Sequence, residues 1–300
     1  MPEDYRKYLD PKVLMKITRL DLKARLIVEG VISGMHKSPF HGFSVEFAQH
    51  REYVPGDDIR HIDWKVWSKS DRLYIKQYEE ETNLRCYILL DMSESMKYGS
   101  EGHMSKFDYA ACVAGSLGFL LLRQQDAVSL SLFDTALRKY VPPSGHSAHL
   151  KTMLQEVVGT SPERKTEVET IFNELAEKIT RRGIIVILSD LFVPVKSVIR
   201  GIQHFRHRRH DVVVFQILDE YELTFPFQQN TLFRGLEEYP EVMIEPRSLR
   251  AAYLRAFGEF NTELRRECIA NNVDFVQLKT TDHLDAALAS YLASRSARSK

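Results

Sequence analysis

The chain has 300 residues, 44% hydrophobic and 27% charged, a composition that fits one large globular domain or a core with a smaller appendage. Forty-one basic residues balance forty-one acidic ones, so net charge supplies no electrostatic reason for a nucleic-acid or membrane partner. Cys86, Cys112 and Cys268 are too few and too scattered for a disulfide framework or a cysteine metal cluster.

Met1 to Tyr5 lacks a basic-then-apolar leader, and the longest apolar stretch, Tyr109 to Leu122, is shorter than the roughly 20 residues of a spanning helix. A reducing, cytoplasmic setting without a membrane span is expected. Pro11 to Val31 predicts a helix. The segment up to residue 84, rich in Gly, Pro, His and charge beyond that helix, predicts a small irregular N-terminal appendage packed on the core.

From Arg85 strands and helices alternate. Cys86 to Asp91 is a continuous apolar run, as in a strand buried on both faces. Lys106 to Gln124 predicts a largely buried helix, and Val128 to Phe133 a strand. Leu137 to Val141 predicts an edge strand ended by Pro142 and Pro143. Ser147 to Val158 and Glu167 to Thr180 follow as helices. Ile184 to Leu188 is a buried strand running into Ser189 and Asp190, Val195 to Arg206 a helix, and Val212 to Leu218 a strand. Asp219 to Pro246 reads as irregular, with an edge strand at Val242 to Ile244. Leu249 to Asn271 is a long amphipathic helix, Phe275 to Leu278 a strand and His283 to Ser294 a closing helix, with residues 295–300 a frayed tail.

This alternation predicts an α/β domain over residues 85–294, a doubly wound, mostly parallel, Rossmann-type sheet covered on both faces. Ligands of such sheets sit beyond the carboxyl ends of the strands, near the point where strand order reverses. Asp91 and Asp190, each following a buried strand, fall at that edge.

Between the first buried strand and the first buried helix lies Asp91-Met92-Ser93-Glu94-Ser95. On an outward-turning loop alternate residues direct oxygen toward one point, and one carboxylate with two hydroxyls suits Mg²⁺ or Mn²⁺ better than a soft metal. Ser93 and Ser95 as plain helix caps, Thr166 as a cap of the helix it opens, and Asp190 as a turn residue are the alternatives. Asp91, Ser93, Ser95, Thr166 and Asp190, in that order, resemble the metal-ion-dependent adhesion site of von Willebrand factor A domains.

The N-terminal segment carries a second resemblance. GMHKSPFHGFSVEF at Gly34 to Phe47 and REYVPGDDIRHIDW at Arg51 to Trp64 are similar to the signature of a bacterial family catalogued as domain of unknown function number fifty-eight. In that family the segment precedes a von Willebrand factor A-like domain, and the resemblance runs from about Gly34 to Ala293. Family members are often encoded beside MoxR-type AAA+ ATPases and are thought to act with them in chaperone-like assembly or maturation of other proteins. The chain departs from the pattern at Ser44, where many members carry Gly, and at Glu167, where Asp is frequent.

The resemblance implies a non-enzymatic adaptor that holds Mg²⁺ or Mn²⁺ and captures an acidic residue of a protein partner, an AAA+ ATPase or its client. Two carboxylates and three hydroxyls barely neutralise a dication, which leaves it electrophilic toward such a carboxylate. A Mg²⁺-dependent phosphohydrolase of the haloacid-dehalogenase type is the enzymatic alternative, but it needs a second carboxylate two residues after Asp91, where Ser93 stands. A scaffold with a vestigial metal site is the other. No P-loop or Gly-x-Gly-x-x-Gly is present, so nucleotide hydrolysis is assigned to a partner. Arg51, Asp57, Asp58, Arg60 and Asp63 predict an ion-pair network, Tyr53, Trp64 and Trp67 core positions, and His204 to His210 a solvated basic helix end.

Overall fold

The computed structural model describes residues 8, 45–54, 63, 64, 66, 67, 72–80, 84–162, 167–229, 231–233 and 242–283. The chain divides into two compact units, Met35–Asn83 on the one hand and Met1–Gly34 with Leu84–Lys300 on the other. The helix expected over Pro11 to Val31, the signature residues 34–44 and 55–62 (with the expected ion-pair partners Asp57, Asp58 and Arg60), Thr166, and the closing helix and tail from residue 284 on lie outside the described residues.

In the smaller unit, β1 (Val45–Glu52) pairs antiparallel with β2 (Tyr74–Glu80), with a bulge between Phe47 and Gln49. Trp64 and Trp67, expected in the core, are 57% and 44% exposed. They are three apart on one helical turn and meet edge to face with centroids 6.0 Å apart. The buried member of this turn is Asp63, whose Oδ1 accepts the Val66 N–H at 3.3 Å.

In the larger unit the elements are β3 (Arg85–Asp91), α1 (Lys106–Arg123), β4 (Ala127–Phe133), β5 (Leu137–Ser144), α2 (His149–Val158), α3 (Val168–Lys178), β6 (Ile184–Ser189), α4 (Val195–His207), β7 (Asp211–Leu218), α5 (Glu220–Thr224), β8 (Thr231–Phe233), β9 (Val242–Ile244), α6 (Pro246–Ala270) and β10 (Asp274–Lys279). Six strands form one sheet in the order β10-β7-β6-β3-β4-β5, parallel except for β5. Alternation along each strand divides the core. Ile88, Leu90, Leu130 and Leu188 pack with α1 and α2 on one face; Tyr87, Leu89, Ile187 and Val214 pack with α3, α4 and α6 on the other.

Two expectations change. β5 runs through Pro142 and Pro143 to Ser144. It is an edge strand, where a missing N–H faces no neighbour, and the register with β4 shifts between Val128 and Leu130. Val242–Ile244 does not join the main sheet's edge; as β9 it pairs with β8 in a separate two-stranded sheet. The supposedly irregular stretch also holds α5, opened by a capping box of Asp219 and Glu222. At the α4 end His204, His207, Arg208 and Arg209 are exposed as expected, whereas His210 is buried and its Nδ1 accepts the Gly183 N–H at 3.2 Å.

Asp126, at the α1–β4 turn, is 4% exposed and accepts the Leu84 N–H at 3.1 Å. Burial pushes its carboxyl up to about 7 from the ordinary 3.8, against the opposing pull of that N–H. Between about pH 4 and 7 the folded chain therefore holds a proton that the unfolded chain has released, and this residue's contribution falls as pH rises through that window. Asp126→Asn is expected to flatten the slope and to raise stability at pH 8 by on the order of 1–2 kcal/mol, measured by urea unfolding of variant and wild type across pH 4–8.

Candidate functional site

The strand order, counted along the chain within the main sheet, is the doubly wound 3-2-1-4-5-6, with its reversal between β3 and β6. Asp91 and Asp190 emerge at the carboxyl ends of these two neighbouring strands. The loop after β3 is tied down at once: the Met92 N–H donates to the Phe133 carbonyl at 2.8 Å, and the Ser93 N–H donates to Asp91 Oδ1 at 2.8 Å. That Asx-type turn leaves Ser93 extended ahead of the 3₁₀ turn Glu94–Lys97. Ser93 Oγ and Ser95 Oγ then lie 3.0 Å apart. Glu94 pairs with Lys97 at 3.7 Å.

Asp91 is 1% exposed, and Ser189 Oγ donates to its Oδ2. Burial and then repulsion from Asp190 push its carboxyl up to about 7, against the hydrogen bonds from Ser189 and Ser93. Asp190, 2% exposed, accepts the Phe192 N–H at 3.2 Å on Oδ1. Of the five residues read from the sequence, four thus meet at this edge, and Thr166 lies outside the described residues. Its neighbour Glu167 donates its N–H to the Asp134 carbonyl, just past the end of β4.

Four residues at this edge were not read from the sequence. Ser189 braces Asp91, as above. Lys106, the first residue of α1, is wholly buried, and its Nζ donates to Asp190 Oδ2 at 2.7 Å and to Glu222 Oε1 at 2.6 Å. Burial opposes the ammonium charge, but the two carboxylates outweigh it and hold the pKa above the ordinary lysine value. Glu222 in turn accepts the Asp219 N–H at 2.8 Å. Asp219 accepts from Ser100, Tyr221 and Thr280; these bonds overcome its burial and keep its carboxyl below the usual range. The Asp219-x-x-Glu222 capping pattern was legible in the sequence. A lysine at a helix start gave no such signal, since it reads as a solvated charge.

Among the described residues, the carboxylates of Asp91, Asp190, Asp219 and Glu222 and the ammonium of Lys106 thus gather along the carboxyl ends of β3, β6 and β7. Among the described residues no three His, Cys, Asp or Glu side chains form a metal-holding group, so an ion here depends on the serine hydroxyls. The donors available to it, Asp91, Ser93, Ser95 and Asp190, are hard oxygens and fit Mg²⁺ or Mn²⁺. Beside Asp190, Phe192 forms one wall of an open apolar groove of about 540 Å³ completed by Tyr253, Phe257 and Phe260.

A mostly parallel sheet with this strand order, covered by helices on both faces, defines a doubly wound, Rossmann-type α/β domain. The family model described as "Protein of unknown function DUF58" matches residues 49–263, and the chain belongs to that family. It is 26% identical over 294 residues to "Uncharacterized protein Rv1480" of Mycobacterium tuberculosis, covering 95% of this chain and 90% of that protein. "Uncharacterized protein Mb1516" of Mycobacterium bovis matches with the same figures. Similar solved structures include the conserved hypothetical protein BatB from Bacteroides thetaiotaomicron (TM-score 0.46, 13% identity, 71% of this chain and 99% of that one). Another is the aerotolerance-related membrane protein from Bacteroides fragilis with multiple mutations to serines (TM-score 0.48, 16% identity, 72% and 99%). The SpRpn10 VWA domain has TM-score 0.39 and 11% identity, over 69% of this chain and 94% of that one. No helix among the described residues is long and apolar enough to cross a membrane.

Proposed function

We propose that this chain is a non-enzymatic, metal-dependent protein-binding adaptor, with Mg²⁺ or Mn²⁺ held by Asp91, Ser93, Ser95 and Asp190 and the set completed by Thr166. The observation that carries the reading is the pair of serine hydroxyls, 3.0 Å apart, on the loop that follows Asp91 at the reversal of strand order. Repulsion between Asp91 and Asp190 is the electrostatic problem that a cation relieves. A bound ion supplies a Lewis-acidic point for the carboxylate of another protein. Asp91 binds it, the Ser93 N–H and the Ser189 hydroxyl orient Asp91, and the apolar groove beside Asp190 gives a protein ligand surface to bury.

The partner class follows from the family resemblance: a MoxR-type AAA+ ATPase, or a client presented by it, for assembly or maturation of other proteins. Ser93 in place of a second carboxylate argues against the phosphohydrolase alternative.

Asp91→Asn keeps an oxygen for the Ser93 N–H while removing the charge. It is expected to weaken Mn²⁺ binding by more than about 100-fold, because loss of a direct ligand exceeds the 10–100-fold typical of an outer partner. Capture of a purified MoxR-type ATPase should disappear with it, and with EDTA, while near-UV circular dichroism stays unchanged. Equal capture with and without the ion would sink the proposal.

A further inference from the structure

The ion pairs around Lys106 have a consequence for how this site takes a cation. Lys106 sits at the first position of α1, where the helix dipole disfavours a positive side chain. Its ammonium is 0% exposed and lies 4.5 Å from the Phe192 ring centroid, shut in between Asp190 and Glu222. A buried lysine held against its helix dipole is not an incidental surface charge. It touches Asp190 directly, whereas Glu222 contacts that ammonium on its other side.

We propose that Lys106 is a resident counter-cation that competes with a divalent ion for Asp190 and sets the affinity and charge of the loaded site. This rests on the metal-site reading above and deepens it. With Lys106 present, an incoming ion shares Asp190 with an ammonium, so binding is weaker than the carboxylates alone would give. The loaded site then keeps one more positive charge, which favours an acidic ligand over a neutral one. Glu222 acts the opposite way, as the carboxylate that offsets the ammonium. Lys106 and Glu222 are thus positioning residues, acting on the ion through Asp190.

The test uses the full chain with Mn²⁺ alone as probe, followed by isothermal titration calorimetry. Lys106→Met leaves the buried Asp190 and the partly buried Glu222 without their cation, so the informative protein is the double variant Lys106→Met/Glu222→Gln, in which glutamine can still accept the Asp219 N–H. The double variant is expected to bind Mn²⁺ about tenfold tighter than wild type, because the charge nearer Asp190 is the one whose removal dominates. Glu222→Gln alone, which leaves the ammonium wholly on Asp190, is expected to bind a few-fold more weakly. These opposite signs separate a charge effect from a structural one, which would weaken binding in both. Equal or weaker binding by the folded double variant overturns the role of Lys106 and leaves the ion site standing. Absence of Mn²⁺ binding from wild type and double variant alike removes both. Binding by the double variant alone supports the competition in its strongest form.

Discussion

Lys106→Met is expected to destabilise the folded chain by on the order of 3–5 kcal/mol, read as a lowered urea midpoint at unchanged slope. The side chain it removes is 0% exposed and carries the ammonium shared by Asp190 and Glu222, at 2.7 and 2.6 Å. Methionine fills a similar volume, so the loss comes from two carboxylates left without their cation, Asp190 buried and Glu222 partly buried, and packing contributes little. Adding Glu222→Gln removes one of those charges and should restore a large part of the stability; the two changes share one ion and cannot be additive. A loss below about 1 kcal/mol for the single variant would mean that water or protonation satisfies both acids, and that the ion pairs do not hold this edge together.

Gly183→Ala is the second large effect, expected at about 2–4 kcal/mol in the same assay. A Cβ at this position would lie 2.3 Å from the Arg85 carbonyl oxygen and 2.9 Å from Tyr87 Cε2. Arg85 begins β3, a central strand paired on both sides, so the carbonyl cannot withdraw without disturbing two ladders. The Gly183 N–H is also committed to His210 Nδ1, and its carbonyl accepts from Asp211. The residue lies at the amino end of β6, and the candidate site lies at the other end. The folded fraction of the variant should therefore bind Mn²⁺ with wild-type affinity. Stability near wild type would show that the sheet can spread at this point, contrary to the close approach of the two chains.

The alternation of strands and helices was legible because it is written in short windows. Cys86–Leu90 and Ile184–Leu188 are apolar without interruption, which marks strands buried on both faces, and Ala127–Phe133 keeps that character although Ser129 and Ser131 break the run. Their ends carry Asp91 and Asp190, and the connection rules of doubly wound sheets bring such ends together. Less of the segment after β7 was legible, since three-residue strands such as β8 and β9 are too short to show a period. The two tryptophans also went astray. Hydrophobicity favours burial of Trp64 and Trp67, but on their short turn the buried position went to Asp63.

Short stretches of chain thus carry the class of sheet, the loop Asp91 to Ser95 and the strand end at Asp190, because each depends on residues close together. It takes long-range packing to bury Lys106 and to set it against Asp190, 84 residues away, and Glu222, 116 residues away. A charged side chain reads the same in sequence whether water or a distant carboxylate solvates it. The fold chooses between them by closing off the water, and here it placed an ammonium against one of the carboxylates proposed to hold a metal.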